Sequence, residues 1–226
     1  MAQGERTAKA ADYRTITLSI AAEAIQAYNT DCYYSANKGL DLDRRARDLF
    51  TNGLARTPEG ILEQVHFIGK DYGGVAGFKA ALSLAPLIAG DIYVVRDRYS
   101  DLTKSAPPLR QAPSSVKLIA ELFAPFVKPL HGKSKWQTWA AKFWHFLNPD
   151  AFPVEDSRVD RFFSLDLTNS PQKYVTLLDR FREFDLTHQS WLPHLRKVDA
   201  GHAWCDNKLW DKMCYGVVEL ANRRTS

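Results

Sequence analysis

Residues 131–163, HGKSKWQTWAAKFWHFLNPDAFPVEDSRVDRFF, contain the strongest folding signals of the chain. Gly132 permits a sharp reversal of the backbone, so a tight hairpin is expected there. The segment WQTWAAKFWHFL then spaces its apolar residues for one helix face. Asn148 and Pro149 end this helix, and an extended turn at residues 152–154 leads to Asp156 at the start of the next helix, SRVDRFF. The stretch therefore predicts a hairpin, a helix and a turn that delivers an acidic residue.

Positive charge accumulates in and after the hairpin. From Lys128 to Lys142 the chain has four lysines and no acidic residue. The helical spacing predicts a polar face opposite the aromatic stripe, formed by Lys135, Thr138, Lys142 and His145. Together with the backbone N–H groups of the hairpin, this face suits a phosphate group. The alternative is a solvated lysine face on an ordinary core helix.

Asp156 has two interpretations. An Asp at this position is most often an N-cap, which accepts hydrogen bonds from the first backbone N–H groups of its helix. The functional interpretation rests on its setting, because a buried turn before it can aim the carboxylate into a cleft. Asp150 and Glu155, which flank the turn, are expected to be exposed, solvated carboxylates.

These residues resemble the helix-hairpin-helix DNA glycosylases, whose signature is a hairpin of the L-P-G-x-G type, a helix, and a Gly/Pro-rich turn that ends in an essential Asp. P-L-H-G-K-S-K-W (129–136) corresponds to the hairpin, and F-P-V-E-D-S-R-V (152–159) to the turn. Ser134 replaces the second glycine of the hairpin. The resemblance covers residues 129–163 and implies that Asp156 is catalytic. It also implies a DNA contact surface formed by Gly132, Lys133, Ser134, Lys135, Ser157 and Arg158.

The resemblance implies an enzyme that flips a base out of duplex DNA and breaks its N-glycosidic bond. Asp156 would stabilise the positive charge that develops on the sugar and orient the attacking water. Aromatic candidates for the base pocket are Trp136, Trp139 and Trp144. Trp136 occupies the position where strand-cutting members carry a lysine, which implies a monofunctional enzyme. Lys135 or Lys142 as a displaced nucleophile would make it a combined glycosylase and lyase.

The partner implied is double-stranded DNA with a damaged or modified base. An oxidised purine, an alkylated base or a hypermodified phage base each fits the residues. The first two would make the protein a base-excision repair enzyme, and the third an antiviral defence enzyme. A non-catalytic helix-hairpin-helix DNA-binding protein, in which Asp156 only caps a helix, is the alternative from another class.

The rest of the chain predicts helices. Amphipathic spacing indicates helices at 17–31 and 40–54, and Thr57 followed by Pro58 predicts a helix start. Ser114 or Ser115 is expected to cap another helix. Only residues 90–102 have the composition of a short strand or extended connector. The expected class is all-α, with two helical lobes around a cleft for DNA and the base.

The predicted organisation is a flexible N-terminus (1–12), an N-terminal helical lobe (13–104) and a helix-hairpin-helix catalytic lobe with the C-terminal helices (105–226). The boundary is placed at the proline-rich segment SAPPLRQAPSS, residues 105–115. The 226 residues, 45% of them apolar, also allow a single compact unit.

Composition restricts the class of protein further. The net charge of +4 excludes a wholly basic coat but allows a local basic patch. Three cysteines at unrelated spacings favour reduced thiols in a cytoplasmic protein. The DNA partner that the resemblance implies would make the protein nucleoid-associated. No apolar run approaches the ~20 residues of a membrane span. No metal is expected, because His194, His202 and Cys205 lack paired zinc-ligand spacing. No cofactor is expected either, because the glycines in DYGGVAGFK lack a phosphate-loop pattern. The protein is expected to be a monomer.

Overall fold

Helices form all of the regular structure in the part of the chain that the computed structural model describes, residues 13–32, 38–51, 57–70, 108–111, 136–165, 171–203 and 205–224. The expected all-α class is confirmed. In chain order the helices are α1 (Leu18–Ala27), α2 (Lys38–Thr51), α3 (Pro58–Lys70), α4 (Trp136–Leu147), α5 (Ser157–Phe162), α6 (Pro171–His188), α7 (Leu192–Val198) and α8 (Asp206–Arg223). A π-helical turn (Tyr28–Cys32) extends α1, and a 3-10 turn (Gln189–Trp191) joins α6 to α7.

Side-chain caps begin helices α1 and α3. Thr17 accepts a hydrogen bond from the Ile20 N–H at the start of α1. Thr57 accepts one from Gly60 N at 3.1 Å at the start of α3. These caps satisfy backbone donors that have no partner within the helix. The predicted helix start at Thr57 is therefore confirmed, and so is the predicted span of α4.

Helices α1 and α8 cross at very close range. A Cβ added to Gly216 of α8 would lie 2.0 Å from the backbone oxygen of Ala24 in α1, so only glycine fits there. Just beyond the crossing, Tyr28 packs edge-on against Tyr215 with the ring centroids 5.1 Å apart. The crossing fixes the π-helical turn against the middle of α8.

Helix α4 packs on both sides. Phe143 and Phe146 contact Phe50 of α2, with ring centroids 5.4 Å and 5.3 Å away. On the other side, Trp144 lies 5.4 Å from Phe152 of the turn that follows. All six residues at 141–146 are consequently buried, which leaves α4 without a solvent face over that length.

Aromatic rings also join the C-terminal helices to α5. Phe162 at the end of α5 packs against Phe184 of α6, and Phe184 packs against Trp210 of α8. Trp210 donates from Nε1 to Asp185 Oδ1 at 2.6 Å, so its polar edge is satisfied inside the core. The C-terminal helices α6 and α8 therefore pack on the helix after the turn.

Several predicted elements lie outside the described residues: the strand or connector at 90–102, the helix after Ser114 or Ser115, the hairpin at residues 131–135 and most of the proline-rich segment. The predicted lobe boundary stays a prediction. Within the described ranges, no helix has both the length and the apolar character needed to cross a membrane.

Candidate active site at the turn before helix α5

The turn at residues 148–156 is anchored through its backbone carbonyls. His145 Nδ1 donates to Phe152 O at 2.8 Å, and Asn207 Nδ2 donates to Pro149 O at 2.7 Å. Tyr174 Oη donates to Pro153 O at 3.4 Å. Helices α4, α6 and α8 each supply one of these donors, so the turn is fixed by hydrogen bonds from three directions.

Asp156 caps helix α5 and is half-buried. Its backbone is extended, with φ −150° and ψ 174°. Its Oδ1 accepts hydrogen bonds from Arg158 N at 2.8 Å and from Val159 N at 3.0 Å. No hydrogen bond to Oδ2 comes from a residue that the structure describes. The N-cap interpretation is thus correct for one oxygen, and the second oxygen is left for another contact.

Arg158 borders the Asp156 carboxylate on the side of α8. Its Nε donates to Glu219 Oε1 at 2.7 Å, and its guanidinium lies 4.2 Å from the centroid of the Tyr215 ring. The side chain remains 36% exposed, so it can still reach solvent or a ligand. Ser157, the neighbouring predicted DNA contact, is exposed.

The prediction of a polar face on α4 that contacts phosphate or solvent is wrong for two residues, Lys142 and His145. Lys142 is 7% exposed and His145 is fully buried, because α2 and α3 cover one side of the helix and the 148–156 turn covers the other. His145 holds the turn through its bond to Phe152 O instead of facing a phosphate. Thr138 is half-buried, and Lys135 lies outside the described residues.

Burial gives Lys142 unusual electrostatics. Desolvation lowers the pKa of its ammonium group below the ordinary value of 10.5. The carboxylates of Asp156 and Asp211 oppose this shift. The positive charges of Lys208 and Arg158 reinforce the lowering. Lys142 therefore lies within electrostatic reach of the Asp156 carboxylate.

A buried ionic cluster formed by Glu155, Asp160 and Lys173 lies beside Asp156. Lys173 Nζ is 2.9 Å from Glu155 Oε1 and 2.6 Å from Asp160 Oδ2. The expectation that Glu155 is exposed is wrong, since its side chain has no exposed surface. Asp150 is exposed, as expected. Sequence reasoning missed the cluster because Lys173 comes from α6, and only the acidic residues on either side of Asp156 hinted at it.

The structure describes the side chain of one of the three tryptophans predicted for a base pocket, Trp144. Trp144 is 2% exposed and packs in the core between Phe143 and Phe152. Side chains of Trp136 and Trp139 lie outside the described residues, as do Gly132, Lys133, Ser134 and Lys135. A base pocket and a DNA-gripping hairpin at these positions stay predictions.

The other residues considered as metal, thiol or nucleotide sites form no such site in the described ranges. No group of three His, Cys, Asp or Glu side chains there is arranged to hold a metal ion. Cys205 and Cys214 are buried free thiols, and burial raises the pKa of Cys205 to about 12. The glycines of DYGGVAGFK lie outside the described residues.

Comparison of the chain with protein-family models, with curated proteins and with solved structures gives no match. The interpretation of the site therefore rests on its residues and their geometry.

Proposed function

We propose that the protein is a DNA glycosylase, which turns a damaged or modified base out of duplex DNA and hydrolyses its N-glycosidic bond to leave an abasic site. One observation carries the proposal: Asp156 Oδ1 is fixed by two backbone N–H groups, while Oδ2 accepts no hydrogen bond from the described residues. The resemblance of residues 129–163 to helix-hairpin-helix glycosylases assigns the essential Asp to the same position.

A carboxylate held in this way suits the chemistry. Cleavage of an N-glycosidic bond develops positive charge on the sugar, and a fixed negative group beside it lowers the barrier. Asp156 Oδ2 can also accept a proton from the attacking water, whose oxygen forms the new bond to C1′ as the base leaves. The backbone bonds to Oδ1 prevent the carboxylate from rotating, so little reorganisation is needed during the reaction.

A panel of DNAs tests this proposal. It comprises oligonucleotides with oxidised, alkylated or deaminated bases and genomic DNA from phages with modified cytosines, and abasic sites are counted after incubation. We expect release from one member of the panel, loss of release in Asp156→Asn, and normal release in Asp150→Asn. Asp150 is a matched control because it is an exposed carboxylate on the same turn. Tight DNA binding without release from any member would favour the non-catalytic DNA-binding protein.

A combined glycosylase and lyase is a second candidate, supported by the lowered pKa of Lys142 and its charge interaction with Asp156. Burial lowers the pKa of this lysine, which raises the fraction of neutral amine at physiological pH. The neutral Nζ would attack C1′ of the sugar, forming a C–N bond as the bond to the base breaks. The attached amine would lose a proton and the C1′–O4′ bond would open, with a proton going to O4′, to give an iminium ion at C1′. Loss of the C2′ proton that this iminium ion acidifies would then expel the 3′ phosphate by β-elimination.

Borohydride trapping separates the two candidates. The lyase forms a covalent adduct with DNA that disappears in Lys142→Gln, whereas the monofunctional enzyme gives no adduct and requires alkali for strand cleavage. An adduct that persists in Lys142→Gln would exclude Lys142 as the nucleophile.

A further inference from the structure

The cluster of Glu155, Asp160 and Lys173 holds Asp156 from both sides. Glu155 precedes Asp156 in the turn, and Asp160 follows it by one helical turn in α5. Both carboxylates bind Lys173 Nζ, at 2.9 Å and 2.6 Å, and all three side chains are at most 4% exposed. Any rotation of the Asp156 backbone would therefore have to break a buried ion pair.

Helix α5 depends on tertiary contacts such as these ion pairs. It has only six residues, Ser157–Phe162, and a helix this short is unstable without tertiary contacts. Lys173 belongs to α6, which is 18 residues long and packs Tyr174, Leu177, Leu178 and Phe181 into the core. The ion pairs thus attach the short helix and its cap to a rigid neighbour.

Two carboxylates share the ammonium group of Lys173 in this cluster, and the pKa of Asp160 is raised. Among the described residues none donates to Asp160 Oδ1, which is buried. Burial raises the pKa of Asp160 to about 7, the charge of Glu155 acts in the same direction, and Lys173 opposes both. Asp156, at the N-terminus of the same helix, adds a smaller effect that also raises it. A protonated Asp160 still accepts the bond from Lys173 through Oδ2.

We propose that Lys173 is the positioning residue of Asp156: by binding Glu155 and Asp160 it fixes the cap of α5 and hence the direction of the Asp156 carboxylate. The catalytic consequence rests on the proposed glycosylase function. Because displacement of a catalytic group by about 1 Å can cost roughly 10²-fold in rate, loss of this tie should affect turnover more than binding.

The first test replaces the lysine in Lys173→Met. We expect the single-turnover rate of base release to fall by at least tenfold, on the order expected for a misplaced catalytic group. DNA affinity should stay within about twofold, because the buried side chain of Lys173 cannot contact a phosphate. Hydrogen exchange at the Arg158 and Val159 amides, which bond Asp156 Oδ1, should become faster.

A second variant tests the inference if Lys173→Met does not fold. Glu155→Gln/Asp160→Asn/Lys173→Met replaces all three charged side chains with neutral ones, so none of the three is left as a buried charge without its partner. It should be folded and still show faster amide exchange and slower base release. The matched control is Asp199→Asn/Lys212→Met, which neutralises another buried pair, with its Nζ–Oδ1 distance of 2.8 Å, away from the turn.

The inference would be overturned if the triple variant kept the wild-type rate of amide exchange at Arg158 and Val159 and the wild-type rate of base release. The glycosylase proposal would then remain intact. If no DNA releases a base even with the wild-type protein, the proposed function fails. The exchange rates alone then decide whether Lys173 positions Asp156.

Discussion

Two buried lysines, Lys212 and Lys173, are paired in different ways. Lys212 Nζ binds Asp199 Oδ1 at 2.8 Å, and Asp199 is also bonded by Asn29 Nδ2 at 3.0 Å and by Ala203 N at 2.6 Å. That arrangement balances one cation with one anion. Lys173 instead binds two carboxylates, so the three residues of its cluster are one cation and two acids.

The difference separates a structural role from a positioning role. The balanced pair of Lys212 and Asp199 connects α8 to the turn after α7 and, through Asn29, to the π-helical turn. The unbalanced cluster lies on either side of Asp156 and contains an acid, Asp160, that titrates near neutral pH. An acid with a raised pKa therefore lies beside the candidate catalytic residue.

Lys212→Met breaks the balanced pair. It leaves Asp199 buried without its cation, and loss of one partner of a buried pair costs about 3–5 kcal/mol of unfolding free energy. Urea unfolding measures the loss, and Asp199→Asn/Lys212→Met should recover part of it. A loss below about 1 kcal/mol would show that the pair contributes little to folding.

Asp160→Asn tests the unbalanced cluster through pH. The folded-state pKa of Asp160 is about 7, above its ordinary value of 3.8, so its contribution to stability is complete below pH 3.8 and is lost as the pH rises to about 7. The stability of Asp160→Asn relative to wild type should therefore rise by up to about 4 kcal/mol across that window. Urea unfolding at several pH values gives the difference, and a constant difference would contradict the assignment.

Gly216→Ala disturbs the scaffold near Lys212 without touching Asp156. The added Cβ would lie 2.0 Å from Ala24 O, and overpacking against backbone should cost about 3 kcal/mol. Gly201→Ala is the control, because its Cβ meets nothing within 4 Å and its cost is limited to a positive φ of 76°, about 1 kcal/mol. Thermal unfolding compares the two variants, and equal losses would mean that α1 moves away easily.

Asp156→Ala should have the smallest effect on folding. It removes an N-cap from a six-residue helix, which costs about 1 kcal/mol of unfolding free energy. Asp156→Asn keeps an oxygen that can accept the same backbone bonds, so its loss should be no more than a few tenths of a kcal/mol. Chemical denaturation distinguishes the two, and a large loss in Asp156→Asn would indicate that the charge itself holds the turn.

Local signals in the sequence predicted the helices well. Thr57 followed by Pro58 marks the start of α3, Asn148 and Pro149 follow the end of α4, and Asp156 caps α5 as its residue type suggests. Each of these depends on residues within a few positions of one another, so a single segment contains the necessary information.

Burial of polar side chains was not predictable in the same way. Spacing on α4 defines one apolar stripe, but it does not show that the 148–156 turn covers the opposite face and buries Lys142 and His145. The pairing of Lys173 in α6 with Glu155 in the turn and with Asp160 in α5 spans 18 and 13 positions of the chain. Such contacts depend on tertiary packing, which no local pattern specifies.

The most direct test of the central claim is the single-turnover rate of base release by Asp156→Asn, measured on the DNA from the panel that the wild-type protein cleaves, with DNA affinity measured in parallel. We predict a rate lower by about 10²–10³-fold with affinity unchanged or higher, because the variant loses a fixed negative charge in the transition state but keeps the helix cap. A rate equal to that of the wild-type protein would contradict the role of Asp156 and with it the proposed mechanism.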